Sequence, residues 1–544
     1  MSETLRGADI VMRTLERAGH NTIFTLSGNH IMSLFDAAIE TKLDLVHVRH
    51  EAATVHMADA WGHLTGKPGI AMVTGGPGHA NAVGALYTAR AQESPMVLLS
   101  GHGPTTEVGC GGFQELRQAE MAAPVTKASW TASSTEALAA DIAKALRIAV
   151  SGRPGPVHLS LPSDLLDRRI DSIVWPDASE FEASPVGLSD AAAEAVLGII
   201  ASAKRPLLLA GPQLGNRPGR DLLERFEAAT NVPTCVLESV RGLSDATIGT
   251  FAQAVRAADL IVLLGKALDF TLNNFGAAPA FDAGCRWVVI DAEAALVERA
   301  ARTKGALLAL GCVADSRPAG AALIQRSAGK PLRDPGWRNE VHAYINARPA
   351  SSATLASKTP GKLHPAEVFR TLQPFVQRDP GTVLICDGGE FSQWGQSMLR
   401  ASRRLINGVA GSIGSSLAYA GAACFVEPKS PVFAVLGDGT FGFHMAELET
   451  AVRRKLPYVA VVGNDARWNA EHNLQVRAYG VKRAWGCELQ PTRYDLVASA
   501  LGAHGELVER PADLAGAIER SLASGKPACI NIMIESTPAP RQDG

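Results

Sequence analysis

The sequence is poorest in the features that would mark a membrane protein, a nucleic-acid binder or a secreted disulfide scaffold. Its 544 residues carry 52 Lys plus Arg against 54 Asp plus Glu. A formal net charge of −2 gives no electrostatic reason to expect nucleic acid or an anionic membrane as a partner. The eight cysteines, Cys110, Cys235, Cys386 and Cys487 among them, stand apart with no C-x-x-C pair. That excludes a zinc-ribbon spacing and a disulfide framework, and reads as small buried hydrophobes in a reducing compartment. The N-terminal stretch MSETLRGADIVMRTLERAG lacks the apolar core of a signal peptide and instead puts Ile10, Val11, Leu15 and Ala18 on one helical face. The most apolar long stretch, Gly408 to Phe425, is rich in Gly, Ser and Ala, and reads as a close-packed helix rather than a membrane span. The expected compartment is the cytoplasm.

What is present is the composition of a tightly packed α/β enzyme, with 46 % hydrophobic residues and 52 glycines. The length suggests about three domains. Short apolar runs alternate with helical patterns: Thr22 to Leu26, Leu43 to Val48, Gly69 to Thr74, Pro95 to Ser100 and Val157 to Leu161 in the first third. The middle third repeats the rhythm at Pro206 to Ala210, Pro233 to Leu237, Leu260 to Leu264 and Trp287 to Asp291. The last does so at Val383 to Cys386, Leu405 to Ile406, Val432 to Leu436, Val459 to Val462 and Ala528 to Ile534. Polar, Pro-punctuated stretches at Arg168 to Asp190 and Gln325 to Lys362 read as linkers. The fold class expected is α/β, with three doubly wound parallel-sheet domains over 1–170, 190–328 and 363–540. The first and last resemble copies of one fold, without a residue-level repeat.

One stretch organises the rest: VFAVLGDGTFGFHMAELETAVRRKLPYVAVVGNDARWNAEHNLQ, from Val432 to Gln475. Two apolar strands bracket a helix carrying Met445, Leu448 and Val452, and each strand ends at an acid, Asp438 or Asp465. Parallel sheets bind ligands at that end, and two carboxylates beside glycines suit a divalent cation that itself holds a phosphate. Gly437 to Gly442 also spells the dinucleotide fingerprint G-x-G-x-x-G. In that use, however, an aspartate between the glycines would repel the pyrophosphate.

The spacing of Gly437-Asp438-Gly439 and the Asn464-Asp465 pair resembles the thiamine diphosphate motif. Together with Arg49-His50-Glu51-Ala52-Ala53, Gly75-Gly76-Pro77-Gly78 with Asn81, and Gly411-Ser412-Ile413-Gly414, it identifies the chain as similar to the thiamine diphosphate enzymes. That family includes acetohydroxyacid synthase, pyruvate oxidase, benzaldehyde lyase, oxalyl-CoA decarboxylase and 2-hydroxyacyl-CoA lyase. The resemblance runs from Thr4 to about Met533. It implies a pyrimidine-binding, a central Rossmann-like and a diphosphate-binding domain, and thiamine diphosphate with Mg2+ as cofactors. Glu51 would share a proton with the cofactor pyrimidine, with Gly28, Asn29, Pro77 and Asn81 around it. Gly411, Ser412, Gly437, Gly439, Thr440 and Trp468 would bind the cofactor, and Ile413 would support its bent form. Asp438 would ligate Mg2+ together with the backbone carbonyl of Arg467. The family's second side-chain ligand, usually Asn, falls 27 residues on, at Asp465, while the Asn of this chain is Asn464. Either residue is left open as the ligand.

His30 and Gln114 match benzaldehyde lyase positions that face the reacting carbonyl. His79, His102, His444, His472 and Trp394 are readable equally as loop or core residues. Gly265-Lys266-Ala267-Leu268-Asp269-Phe270 with Asn273-Asn274-Phe275-Gly276 resembles the acyl-CoA lyases and decarboxylases more than the flavin-binding synthases. ADP or CoA in the central domain, held by Asp291, Arg217 and Arg220, is therefore expected before FAD. The chain also ends soon after its last strand, without the longer tail of several relatives. The activity implied is C–C bond cleavage or formation on 2-hydroxyacyl compounds through the C2 carbanion of thiamine diphosphate. The alternatives are an acetolactate-synthase-like transferase or 2-keto acid decarboxylase, a non-catalytic homologue, and a nicotinamide enzyme. A small carbonyl compound or acyl-CoA is the expected substrate. The expected assembly is a homodimer or homotetramer with its site at the subunit interface.

Overall fold

The computed structural model describes residues 4–273 and 280–540. Three parallel sheets account for most of the strands, joined by a small antiparallel pair of Leu5–Arg6 with Arg169–Ile170. The first sheet contains Thr22–Thr25, Asp44–His47, Gly69–Val73, Met96–His102, Ala128–Thr131 and Pro156–Pro162. The middle one contains Pro206–Ala210, Thr234–Val236, Leu260–Leu264, Arg286–Asp291 and Leu308–Val313. The third is built from Val383–Asp387, Arg403–Ile406, Val432–Gly437, Val459–Asn464, His504–Val508 and Ala528–Met533. Crossover helices bury both faces of each sheet, which is why the inner strands read as unbroken apolar runs.

Across the first and third sheets the strands follow the same spatial order: second, first, third, fourth, sixth, fifth. The two therefore share a topology that their residues do not advertise. Each sheet has one strand without a counterpart in the sequence reading, and all three are edge strands: Ala128–Thr131, Leu308–Val313 and His504–Val508. Their residues are mostly half-buried or exposed.

By contact density the chain divides into two compact units. One comprises 1–184 with 417–426 and 446–455, and the other the remainder. In the first unit, helix Gly7–Arg17 buries Ile10, Val11 and Leu15 against the sheet, as its periodicity predicts. Helix Ser416–Val426 also belongs to this unit, apart from its first residue, and Tyr419 donates from its phenol to the fully buried Asp59. Residues 408–415, expected to begin that helix, are non-helical and belong to the second unit.

In the second unit, part of the expected linker forms helix Gly336–Asn346. Its Trp337 is buried and donates from Nε1 to the Pro206 carbonyl at 2.9 Å. The single helix expected after Gly439 is two, Asp438–His444 and Glu447–Arg454, with Met445 more than a third exposed between them. The eight cysteines are all free thiols, seven of them buried. No helix among the described residues is long and apolar enough to cross a membrane.

Candidate active site

In the second unit the site grows from three neighbouring strands. Val383–Asp387 and Val459–Asn464 flank Val432–Gly437. Gly437 pairs in register with Gly463, so the two chains leave the sheet side by side. Asp438 begins its helix almost fully buried. Its Oδ1 accepts from the Gly439 amide at 2.9 Å, and its Oδ2 is buried with no hydrogen-bond partner. Asp465 lines the same cleft, about 180 Å³ in volume, and its Oδ2 accepts from Ser536 Oγ at 3.0 Å.

Burial pushes the Asp438 carboxyl up to about 6, against the pull of the Gly439, Arg467 and Ala466 amides. Burial and then the charge of Asp438 push Asp465 up to about 7. Two neighbouring carboxyls, one raised by the charge of the other and that other with an orphan oxygen, form a donor set that a divalent cation can satisfy. Both are hard oxygen donors, the kind Mg2+ takes.

Gly437, Gly439, Thr440, Arg467 and Trp468 line this cleft, as do Gly411 and Ile413. Ser412 does not. A Cβ on Gly439 would lie 2.5 Å from the Trp468 ring, so that turn accepts no side chain. Asn464 points elsewhere. Its Nδ2 donates to the Thr492 carbonyl and Asn531 Oδ1, and its Oδ1 accepts from the Ala466 amide. Both its amide hydrogens and its oxygen are engaged in holding the strand end, and Asp465 is the residue that lines the cleft beside Asp438.

The first unit carries a second cluster, also at a sheet edge. Glu51 opens helix Glu51–Thr65, whose N-cap His50 accepts from the Ala52 amide at 3.1 Å. Asn81 Nδ2 donates to Glu51 Oε2 at 3.0 Å. Asn81 rides on helix Pro77–Gln92, and a Cβ on Gly78 would lie 3.5 Å from Glu51 Oε1. Thr74 joins the pieces. It packs against Gly28 and Gly78, and its hydroxyl meets the amide (3.4 Å) and Nδ1 (3.3 Å) of His30. Asn29, next in the turn, is exposed.

His30 is buried, stacks on Phe113 at 5.9 Å between ring centres, and has its pKa lowered by burial and then by the charge of His102. Gln114 is half-buried with φ 57° and sits against Gly76. Gln118, which no motif singles out, ties this edge together. It accepts from the Gly76 amide at 2.8 Å and donates to the Gly101 carbonyl and Ser160 Oγ.

The ambiguous residues resolve by their partners. His79 is buried on Ser100, and His102 lies against the Gly103 and Leu116 carbonyls. His472 has a buried Nδ1. Trp394 lies in the core and donates to the Pro538 carbonyl, while Glu390, Phe391 and Gln393 of its helix line the cleft. In the central region Asp291 is fully buried and accepts from the Glu293 amide. Arg217 and Arg220 line another cavity, to which Asp291 does not contribute, and Arg220 pairs with Glu238. Lys266 is buried and paired with Asp269 at 2.7 Å. Asn274, Phe275 and Gly276 lie outside the described residues.

Comparison with known proteins matches both clusters. Residues 5–121 match the N-terminal TPP binding domain of thiamine pyrophosphate enzymes, and residues 387–532 match their C-terminal TPP binding domain. A probable acetolactate synthase of Mycobacterium bovis is 32 % identical over 551 residues, covering 99 % of this chain and 97 % of that protein. The 2-hydroxyacyl-CoA lyase 1 of Mus musculus is 28 % identical over 561 residues, covering 98 % and 94 %. The catabolic acetolactate synthase of Raoultella terrigena is 28 % identical over 552 residues, covering 97 % and 95 %. The chain belongs to the thiamine pyrophosphate enzyme family, and it is an enzyme that uses that cofactor, also called thiamine diphosphate.

The raised carboxyls have a stability consequence. A carboxyl whose folded pKa exceeds its unfolded value costs stability as pH rises through that interval, here from about 4 to about 7. Asp465→Asn is therefore expected to stabilise the metal-free protein at pH 8 by on the order of 1 kcal/mol and to leave it little changed at pH 4.5. Thermal melts in EDTA at the two pH values check this; a lower melting temperature at pH 8 would refute it.

Proposed function

We propose that the protein is a thiamine diphosphate- and Mg2+-dependent lyase or carboligase that cleaves or forms the C–C bond of 2-hydroxyacyl compounds, of the 2-hydroxyacyl-CoA lyase or benzaldehyde lyase type. The observation that carries the cofactor part is the pair of raised carboxyls, Asp438 and Asp465, in a cleft shared with Gly439, Ile413 and Trp468. Thiamine diphosphate supplies an electron sink for breaking or making a bond beside a carbonyl carbon.

In this reading Asp438, Asp465 and the Arg467 carbonyl hold Mg2+. Gly437, Gly439 and Thr440 receive the diphosphate, and Ile413 supports the bend between the cofactor's rings. Glu51, held by Asn81, keeps a proton in place at the pyrimidine. Gly28, Asn29 and Pro77 lie around it, and His30 and Gln114 work on the substrate side. Near neutral pH the burial of His30 favours the uncharged imidazole, which can both donate and accept as a substrate hydroxyl forms or breaks. Glu51 belongs to one compact unit and Asp438 to the other. The reading includes assembly as a homodimer or homotetramer. A monomeric active species in sedimentation would contradict that assembly.

A second reading, an acetolactate-synthase-like transferase, is favoured by the 32 % identity to the mycobacterial protein. A turnover screen with thiamine diphosphate and Mg2+ separates the two. Aldehyde release from 2-hydroxyacyl-CoA or benzoin supports the lyase; sustained acetolactate from pyruvate supports the transferase.

Glu51→Gln should retain cofactor binding and lose turnover by about 100-fold or more, the scale of a lost proton-transfer group. Near-normal turnover in that variant would remove Glu51 from the chemistry. Asp438→Ala should lose cofactor and metal together. The wild-type thermal stabilisation by saturating thiamine diphosphate and Mg2+, about 2.7 kcal/mol at a hundred times Kd, would then vanish. An undiminished shift would exclude Asp438 as a ligand.

A further inference from the structure

Asp387 ends the strand Val383–Asp387 fully buried, and no motif singles it out. Its Oδ2 collects three donors from one loop: the Gly414 amide at 3.0 Å, the Ser416 amide at 2.8 Å and Ser415 Oγ at 3.4 Å. Its Oδ1 is buried without a partner. The same loop is gripped from the opposite polarity by His444, whose Nδ1 donates to the Gly414 carbonyl at 2.7 Å. Gly414 has φ +102°, and a Cβ there would lie 2.8 Å from the Phe443 side chain. Its backbone is thus fixed on both polar groups and has no room for a side chain.

Immediately before Gly414 stands Ile413, which lines the Asp438 cleft. A loop of this kind ordinarily sits on the surface and keeps its polar groups in water. Here a buried carboxylate takes its amides instead, although burial pushes that carboxyl up to about 6.

We infer that Asp387 is a positioning residue that, with His444, sets the height and angle at which Ile413 is presented to the cleft. The inference rests on the cofactor reading above for what Ile413 supports, but not for the loop geometry. Asp387 touches no reacting group in this account. It acts through the backbone of residues 413–416, and its loss loosens Ile413 while leaving the Asp438 and Asp465 carboxylates in place.

The test uses the full-length protein with Asp387→Asn and Asp387→Ala, the amide variant keeping the side-chain size if the alanine variant fails to fold. Hydrogen exchange of the cofactor-free protein reads the loop directly. The peptide covering 411–416 should exchange at least about tenfold faster in Asp387→Asn, while peptides covering 432–440 stay unchanged. With cofactor, kcat should fall about tenfold or more while the affinity for thiamine diphosphate stays within about threefold, because the two residues act as one support. Ile413→Ala should show the same split, and the double variant should be no worse than the poorer single one. Wild-type exchange in the loop, or losses that multiply in the double variant, would overturn the inference. Failure of thiamine diphosphate and Mg2+ to raise the wild-type melting temperature would instead sink the cofactor reading, with the exchange result still standing.

Discussion

Putting a carboxylate where water cannot reach it is among the most expensive things a fold can do, and the third sheet does it twice and half-buries a third. Three adjacent strands end at Asp387, Asp438 and Asp465; the first two are buried, and Asp465 is half-buried at the lip of the cleft. The desolvation cost is offset in two different ways. Asp387 is met by amides and a hydroxyl of its own chain, and becomes part of the scaffold. Asp438 and Asp465 instead line one cleft side by side, and the charge of Asp438 raises the Asp465 carboxyl, so the pair suits a cation. That contrast distinguishes the structural acid from the two that make a site.

The strand order explains why the residues gather where they do. In both six-stranded sheets the first strand lies between the second and the third, so the connections that leave the first and third strands run in opposite directions. At such a switch point the loops diverge and open a crevice at the carboxyl end. In the third sheet the loops after the first and third strands meet where Gly388 packs on Thr440, beside Asp438. In the first sheet the corresponding loops meet where Gly28 packs on Thr74, beside His30, and Thr74 also packs on Gly78, which faces Glu51. One topology used twice provides two crevices, and the thiamine pyrophosphate family matches fall on these two segments of the chain.

The strand interiors were legible because burial on both faces leaves an unbroken apolar run, as in Val432–Gly437 and Leu260–Leu264. The edge strands were not. Ala128–Thr131 and His504–Val508 face solvent along one side and carry no such run, and Leu308–Val313 follows its helix through a 3-10 turn with little punctuation. The shared order of the two large sheets left no trace in the residues, since pairing order is set by long-range packing. In the site, the glycine and acid spacing was legible, but the choice between Asn464 and Asp465 depends on which side chain the strand end consumes internally. Gln118 and Asp387 were invisible for a related reason. Both act on backbone groups distant in sequence, and backbone donors leave no residue-type signature at the other end.

Substrate identity is harder to read because it resides in a different physical layer. The acids and glycines at the sheet edges answer to the cofactor, which acetolactate synthases and 2-hydroxyacyl-CoA lyases share. The residues that would meet a substrate stand on the glycine-rich segment after Met96–His102, where Phe113 is largely exposed against buried His30 and Gln114 adopts a left-handed backbone. Such a loop can change its side chains without disturbing the sheet beneath, because Gln118 anchors its far end independently of them. Similar identity to relatives with two activities is what that separation produces. Phe113 stacks on His30 while staying largely exposed, so its ring is one that substitution on the loop could change without touching the sheet.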